Sequence, residues 1–120
     1  MHKAMSRHAE KIRIPAVAVL AMTACVLFAW DAFAAVRILV SQQERIFHPN
    51  QMEIRRGDTV QVKNDDGELI HHAYVATDAF NFDSGEQMPG SITDIRFTEA
   101  GTFTIRCRIH PKMALVVTVK

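Results

Sequence analysis

From Val36 to the C-terminus the apolar residues recur with a period of two, and this constrains the fold more than any other feature of the chain. VRILVS, MEIR, TVQVKN, HAYVA, SITDIRFT, TFTIRC and LVVTVK are short runs rich in Val, Ile, Thr and Phe. Between them stand His48-Pro49-Asn50, Arg56-Gly57-Asp58, Asp65-Asp66-Gly67, Pro89-Gly90 and Ala100-Gly101, residues that turn a chain rather than extend it. Successive strand side chains point to opposite faces, so each run offers one apolar face to a core. No window long enough for a packed helix carries a helical period. The pattern predicts an all-β domain over residues 35–120, seven or eight strands in two sheets packed face to face.

The first third of the chain is built differently. Lys3, Arg7, Lys11 and Arg13 outnumber the one acid, Glu10, and are followed by IPAVAVLAMTACVLFAW and then DAFAA. Basic, then apolar, then small residues is the order of a secretory signal, and Ala32-Phe33-Ala34 supplies the small-x-small site, with cleavage expected before Ala35. The expected organisation is a signal peptide over residues 1–34 and a mature domain over 35–120, exported to the periplasm of a bacterial envelope. An uncleaved anchor is the competing reading, since the apolar run from Ile14 to Trp30 is at the lower limit for crossing a bilayer. A lipid-modified Cys25 fits less well, because Met22 is a poor stand-in for the aliphatic residue expected three places earlier. No twin-arginine pair precedes the apolar run, so export in the unfolded state, with any metal acquired outside, is expected.

Removal of the signal takes Cys25 with it and leaves a single cysteine, Cys107, so no disulfide can form within the domain. A lone thiol in an oxidising compartment calls for something that holds it. The domain has ten Lys and Arg against eleven Asp and Glu, a net charge of −1, and no basic patch that argues for nucleic acid. The acidic run Asp65-Asp66-Gly67-Glu68 reads as ordinary turn chemistry at a solvated surface.

The chemistry gathers near the C-terminus in CRIHPKM, residues 107 to 113. In TFTIRC, Phe103, Ile105 and Cys107 share one strand face, so the thiol points inward at the strand's end. His110 and Met113 follow on a short connection before LVVTV resumes the sheet. Singly, Cys107 reads as a small buried hydrophobe and Met113 as a core gap-filler. Together with His110 they put sulfur, nitrogen and sulfur within reach of one point. A further donor must come from elsewhere, and His48, His71 and His72 are the candidates. His71 and His72 face opposite sides of their strand; alternation favours His71, which shares a face with Ala73 and Val75, without settling the choice. Thiolate and thioether are soft donors, and two His, one Cys and a distant Met are the ligands of copper electron-transfer sites, whereas zinc has little use for a methionine. A cysteine–histidine nucleophile lacks an orienting third residue or an oxyanion motif, so an enzyme is not expected.

Residues 44 to 120 resemble a cupredoxin, a type 1 blue copper protein of the plastocyanin/amicyanin type. FHPNQMEIRRGDTVQVKN, LIHHAYVA and GTFTIRCRIHPKM carry the likeness in the family's order, and Cys-x-x-His-x-x-Met is its most specific motif. The resemblance implies a Greek-key β-sandwich with one copper ion at one end, bound by His71, Cys107, His110 and Met113. It puts His72 where relatives usually hold Asn, with either a loop-supporting hydrogen bond or titration near neutral pH as its role. It assigns Asn64 to tying the two ligand-bearing loops together. Ile109 stands where many relatives have proline, so its N–H is free to reach the Cys107 sulfur, and Ile109→Pro is expected to lower the reduction potential.

The function implied is one-electron transfer, with His110 as the exit, Met88, Pro89 and Pro111 in an apolar docking patch and Lys112 on its rim. Partners would be redox proteins, a cytochrome or a dehydrogenase, met transiently by a monomer that has left the membrane with its signal. Copper handling or tolerance is the alternative. No Met- or His-rich tail favours it, though His48 and Met52 suggest a second weak site.

Overall fold

In the computed structural model of the protein, residues 10–12 and 33–120 are described. The expected signal peptide, with its apolar run and Cys25, lies almost wholly outside them. Among the described residues no helix is long and apolar enough to cross a membrane.

The unit Ala35–Lys120 is built of nine strands: β1 (Arg37–Gln43), β2 (Ile46–His48), β3 (Gln51–Ile54), β4 (Thr59–Asn64), β5 (His71–Ala76), β6 (Asn81–Gln87), β7 (Ile92–Arg96), β8 (Gly101–Arg106) and β9 (Ala114–Val119). They form a four-stranded sheet in the order β2-β1-β4-β7 and a five-stranded sheet in the order β3-β9-β8-β5-β6. The chain changes sheets five times, entering and leaving the five-stranded sheet for β3, then crossing between β4 and β5, between β6 and β7 and between β7 and β8, so the fold is the expected all-β sandwich. Two pairings are parallel, β1 with β4 and β3 with β9.

Nine strands replace the seven or eight expected because two of them carry no strong pattern. β2 is three residues long and joins β1 through Glu44 and Arg45, both at φ 57°, a tight hairpin made without glycine or asparagine. β6, NFDSGEQ, is poor in β-formers and is held by its ladder to β5, which is irregular between His72 and Tyr74.

The alternation read from the sequence is the burial pattern of the structure. Val40 on β1, Val60 and Val62 on β4, Ile95 on β7, Ala73 and Val75 on β5, Ile105 on β8 and Leu115 and Val117 on β9 are buried between the sheets. Burying a Val, Leu or Ile side chain contributes about 1.5–3 kcal/mol, so this apolar core is the main force holding the two sheets together. Phe80, Phe97 and Phe103 pack together near the start of β8, with ring centroids 4.9 to 5.8 Å apart.

Past the other end of β8 the core turns polar. Gln42, Asn64, His71 and Gln87 are all buried there. Gln42 Nε2 donates to Gln87 Oε1 at 2.7 Å, and Gln87 Nε2 to the Thr93 hydroxyl at 2.9 Å. Asn64 Nδ2 donates to the carbonyls of Leu69 and Gln87 at 2.7 and 2.9 Å, while its Oδ1 accepts the Asp66 amide at 3.0 Å. These bonds shape the loop that delivers the chain from β4 to His71.

Candidate metal centre

His71 opens β5 and Cys107 follows the last residue of β8; the two strands are antiparallel neighbours, with Tyr74 opposite Arg106. That register sets both inward-facing side chains at the same end of the sandwich. His110 lies in the connection from β8 to β9, and a turn closed by the Met113 amide donating to the His110 carbonyl at 2.9 Å returns the chain to the core. Cys107 and Met113 are 1% exposed and His71 is fully buried, while His110 is half-buried.

Three donor atoms converge. His71 Nδ1 and His110 Nδ1 are 3.1 Å apart, Cys107 Sγ lies 3.7 Å from His110 Nδ1, and one atom from each of the three residues falls within 4.8 Å of the others. Metal–nitrogen and metal–sulfur bonds of roughly 2.0–2.3 Å, the values for zinc, would separate three coplanar donors by about 3.5–3.8 Å. The spacing therefore suits one small ion. Cys107 is a free, buried cysteine. Met113 is buried at the end of the same connection and lines the depression that contains His110; a thioether joined to these donors would make a soft set that suits copper better than zinc.

Among the donors, electrostatics bear on His110. Burial pushes the His110 imidazole below its usual range, aided by the facing His71 and by Arg45 and opposed by Asp66, so the ring is neutral at neutral pH. His71 presents its other nitrogen, Nε2, to Asp66 Oδ2 at 2.5 Å. Burial alone would raise the Asp66 carboxyl, but hydrogen bonds from the Arg45 amide, the His71 ring and the Glu44 amide outweigh it and hold the group below the ordinary carboxylate range.

Around the centre, some sequence expectations are met and others corrected. His72 faces the other way and its Nε2 bonds to Asp83 of β6, which also takes Arg108 at 3.2 Å, so its hydrogen bond links two strands and is not the loop-supporting one expected. Arg108 stacks 4.0 Å over the Tyr74 ring. Asn64 organises the loop before His71 rather than bridging to the loop that carries Cys107. The Cys107 sulfur has His110 Nδ1 as its partner, and the Ile109 amide bond expected there is not formed, which removes the basis for the Ile109→Pro expectation. His48 is exposed and bonded to the Gln43 carbonyl. A depression of about 460 Å³ opens over His110, lined by Arg45, Ile46, Ile109, Pro111, Lys112 and Met113. Of the residues expected around a docking patch, Pro111 and Lys112 line this depression and Met88 and Pro89 do not; Ile46 and Ile109 also line it.

Asp66 and the Glu44-Arg45 turn were missed. Asp66 sits in a run that reads as a solvated turn, and only its position five residues before His71 hints at more.

No protein-family model and no curated protein matches the chain. Solved structures do match. A copper-containing nitrite reductase (NirK) from Thermus scotoductus SA-01 aligns over 74% of this chain with a TM-score of 0.65 and 27% identity, the match spanning only 23% of the reductase. A mutant amicyanin in the reduced state aligns over 75% of this chain and 88% of its own, with a TM-score of 0.65 and 22% identity. A purple cupredoxin from Nitrosopumilus maritimus aligns over 69% and 99%, at 0.61 and 23%. What these likenesses show is the fold: the unit Ala35–Lys120 is a cupredoxin-type β-sandwich. Its amicyanin-like form agrees with the resemblance carried by the Cys-x-x-His-x-x-Met motif.

Proposed function

We propose that residues 35–120 bind one copper ion through His71, Cys107, His110 and Met113 and carry single electrons between redox proteins in the periplasm, residues 1–34 serving as the export signal. The observation that carries this reading is a buried, unbridged thiol meeting two imidazole nitrogens beneath an apolar depression. Copper held by soft and imidazole donors takes up and releases one electron.

The chain's own residues do the rest. The five-stranded sheet and its β8–β9 connection hold the donors before any ion arrives, so little rearrangement accompanies a change of charge. Cys107, Met113 and His71 are sealed from solvent, whereas His110 reaches the floor of the depression, so its ring is the path by which an electron leaves. Ile46, Ile109 and Pro111 supply an apolar contact small enough for a partner that must dissociate between turnovers. The solved amicyanin and purple cupredoxin share the fold and support the reading.

The test is the visible and electron-spin spectrum of the mature protein after addition of Cu(II). An intense thiolate-to-copper band, lost in Cys107→Ser, is expected, together with rapid reduction by a cytochrome or dehydrogenase partner. A colourless preparation would sink the copper assignment. A coloured protein that exchanges electrons with no partner, and whose abundance follows external copper, would turn the reading to copper handling.

A further inference from the structure

We infer that Asp66 is a positioning residue for the metal centre: its carboxylate fixes His71 as the tautomer with Nδ1 bare and biases the centre toward its more oxidised, more positive state. This deepens the proposed function and rests on its ligand assignment.

The geometry carries the argument. Asp66 Oδ1 accepts the Glu44 amide at 2.5 Å, and Oδ2 accepts both the Arg45 amide at 3.0 Å and His71 Nε2 at 2.5 Å. An acceptor holding three donors is an ionised carboxylate, and the ring nitrogen facing it must carry its proton. His71 Nδ1 is then left without one. In the metal-free protein it accepts from His110 Nδ1–H, 3.1 Å away; a metal ion would replace that proton. Asp66 itself has little freedom, because its own amide is tied to Asn64 Oδ1 and its oxygens to the β1–β2 turn. A ligand imidazole backed by a carboxylate is a better donor than one backed by water, and the negative charge, half-buried against the His71 ring, favours the higher positive charge of the ion. Arg45, whose amide holds Asp66, also lines the depression over His110. The turn therefore joins the docking surface to the ring that holds the ion.

Two measurements test the inference. In the metal-free protein, nitrogen NMR of the His71 ring is expected to show Nε2 protonated and Nδ1 bare. Asp66→Asn retains an oxygen acceptor for Nε2 and should keep this tautomer, whereas Asp66→Ala should lose it; a wild-type ring protonated at Nδ1, or no change in Asp66→Ala, overturns the positioning role. In the copper-loaded protein, Asp66→Asn should keep the wild-type spectrum but lower the preference for Cu(II) over Cu(I) about tenfold, a rise of about 59 mV in potential. An unchanged or lowered potential overturns the bias. Asp58→Asn, at the opposite end of β4, removes the carboxylate that holds the Val36 and Arg55 amides and serves as the control. It should lower stability and leave both tautomer and potential alone; a matching shift there would reduce Asp66 to a structural role. The NMR measurement needs no copper, so failure of the ligand assignment and failure of this inference give different results.

Discussion

Gln42 and Gln87 hydrogen-bond at 2.7 Å across the interior of the sandwich, one from each sheet, and neither side chain is more than 2% exposed. Among the described residues Gln42 Oε1 has no partner, so this amide already holds one unmet acceptor. Gln87→Leu would leave the Gln42 amide wholly unpaired and should cost about 1–3 kcal/mol, measured by urea unfolding of the metal-free protein. The double substitution Gln42→Leu/Gln87→Leu removes both polar groups and should recover most of that loss. A double variant as unstable as the single would show that the bond, rather than the stranded amide, is what matters.

The depression over His110 is edged by Arg45 and Lys112. Reversal of both charges, Arg45→Glu/Lys112→Glu, should slow oxidation of the reduced copper protein by anionic hexacyanoferrate roughly tenfold at low ionic strength and speed its oxidation by a cationic cobalt complex. Both effects should shrink as salt is added, since exposed charges are screened beyond about 8–10 Å at 0.1–0.15 M. Stopped-flow rates with the two oxidants check this, and equal effects on both would remove the electrostatic account.

Asp83 collects the Gly85 amide, the His72 ring and Arg108, and these hold its carboxyl well below the usual 3.8, at about 2. A carboxyl with a lowered pKa in the folded state contributes stability that is fully present above its unfolded value. That contribution is lost as the pH falls through about 3.8 toward about 2. The metal-free Asp83→Asn variant should therefore be less stable than wild type at pH 6, and the two unfolding curves should converge near pH 2. A constant gap across this range would mean that Asp83 acts by packing alone.

Glu44 and Arg45 hold φ of 57°, a conformation that costs an L-residue with a Cβ about 1–2 kcal/mol. Glu44→Gly relieves half of this cost at an exposed position without removing the amide that Asp66 accepts. It should stabilise the domain by up to about 1 kcal/mol, a rise of about 4–8 °C in Tm. Calorimetry of the metal-free variant decides, and a lower Tm would mean that the freedom glycine gains when unfolded outweighs the relief.

Much of this was legible from residues alone, and the reason is strand geometry. Phe103, Ile105 and Cys107 alternate with Thr104 and Arg106, so the thiol's direction follows from the period of two; the same rule only separates His71 from His72, and the family resemblance chose His71, which is buried with Ala73 and Val75. The three-residue spacing of CRIHPKM could be read as a cluster because a short connection returns upon itself. What escaped were contacts that alternation does not encode. Asp66 reaches His71 through a loop shaped by Asn64, and Ile46 enters the lining of the depression over His110 through a hairpin with no glycine or asparagine to announce it. Local turn chemistry made Asp66 look solvated because the sequence cannot say which backbone amides will close around a carboxylate.

The short connection between β8 and β9 has a consequence for how the molecule comes into being. Cys107, His110 and Met113 all lie there, and β9 must zip onto both β8 and β3 to close the five-stranded sheet. His71, more than thirty residues earlier in the chain, meets them only when β8 pairs with β5, so the candidate centre assembles as the five-stranded sheet closes.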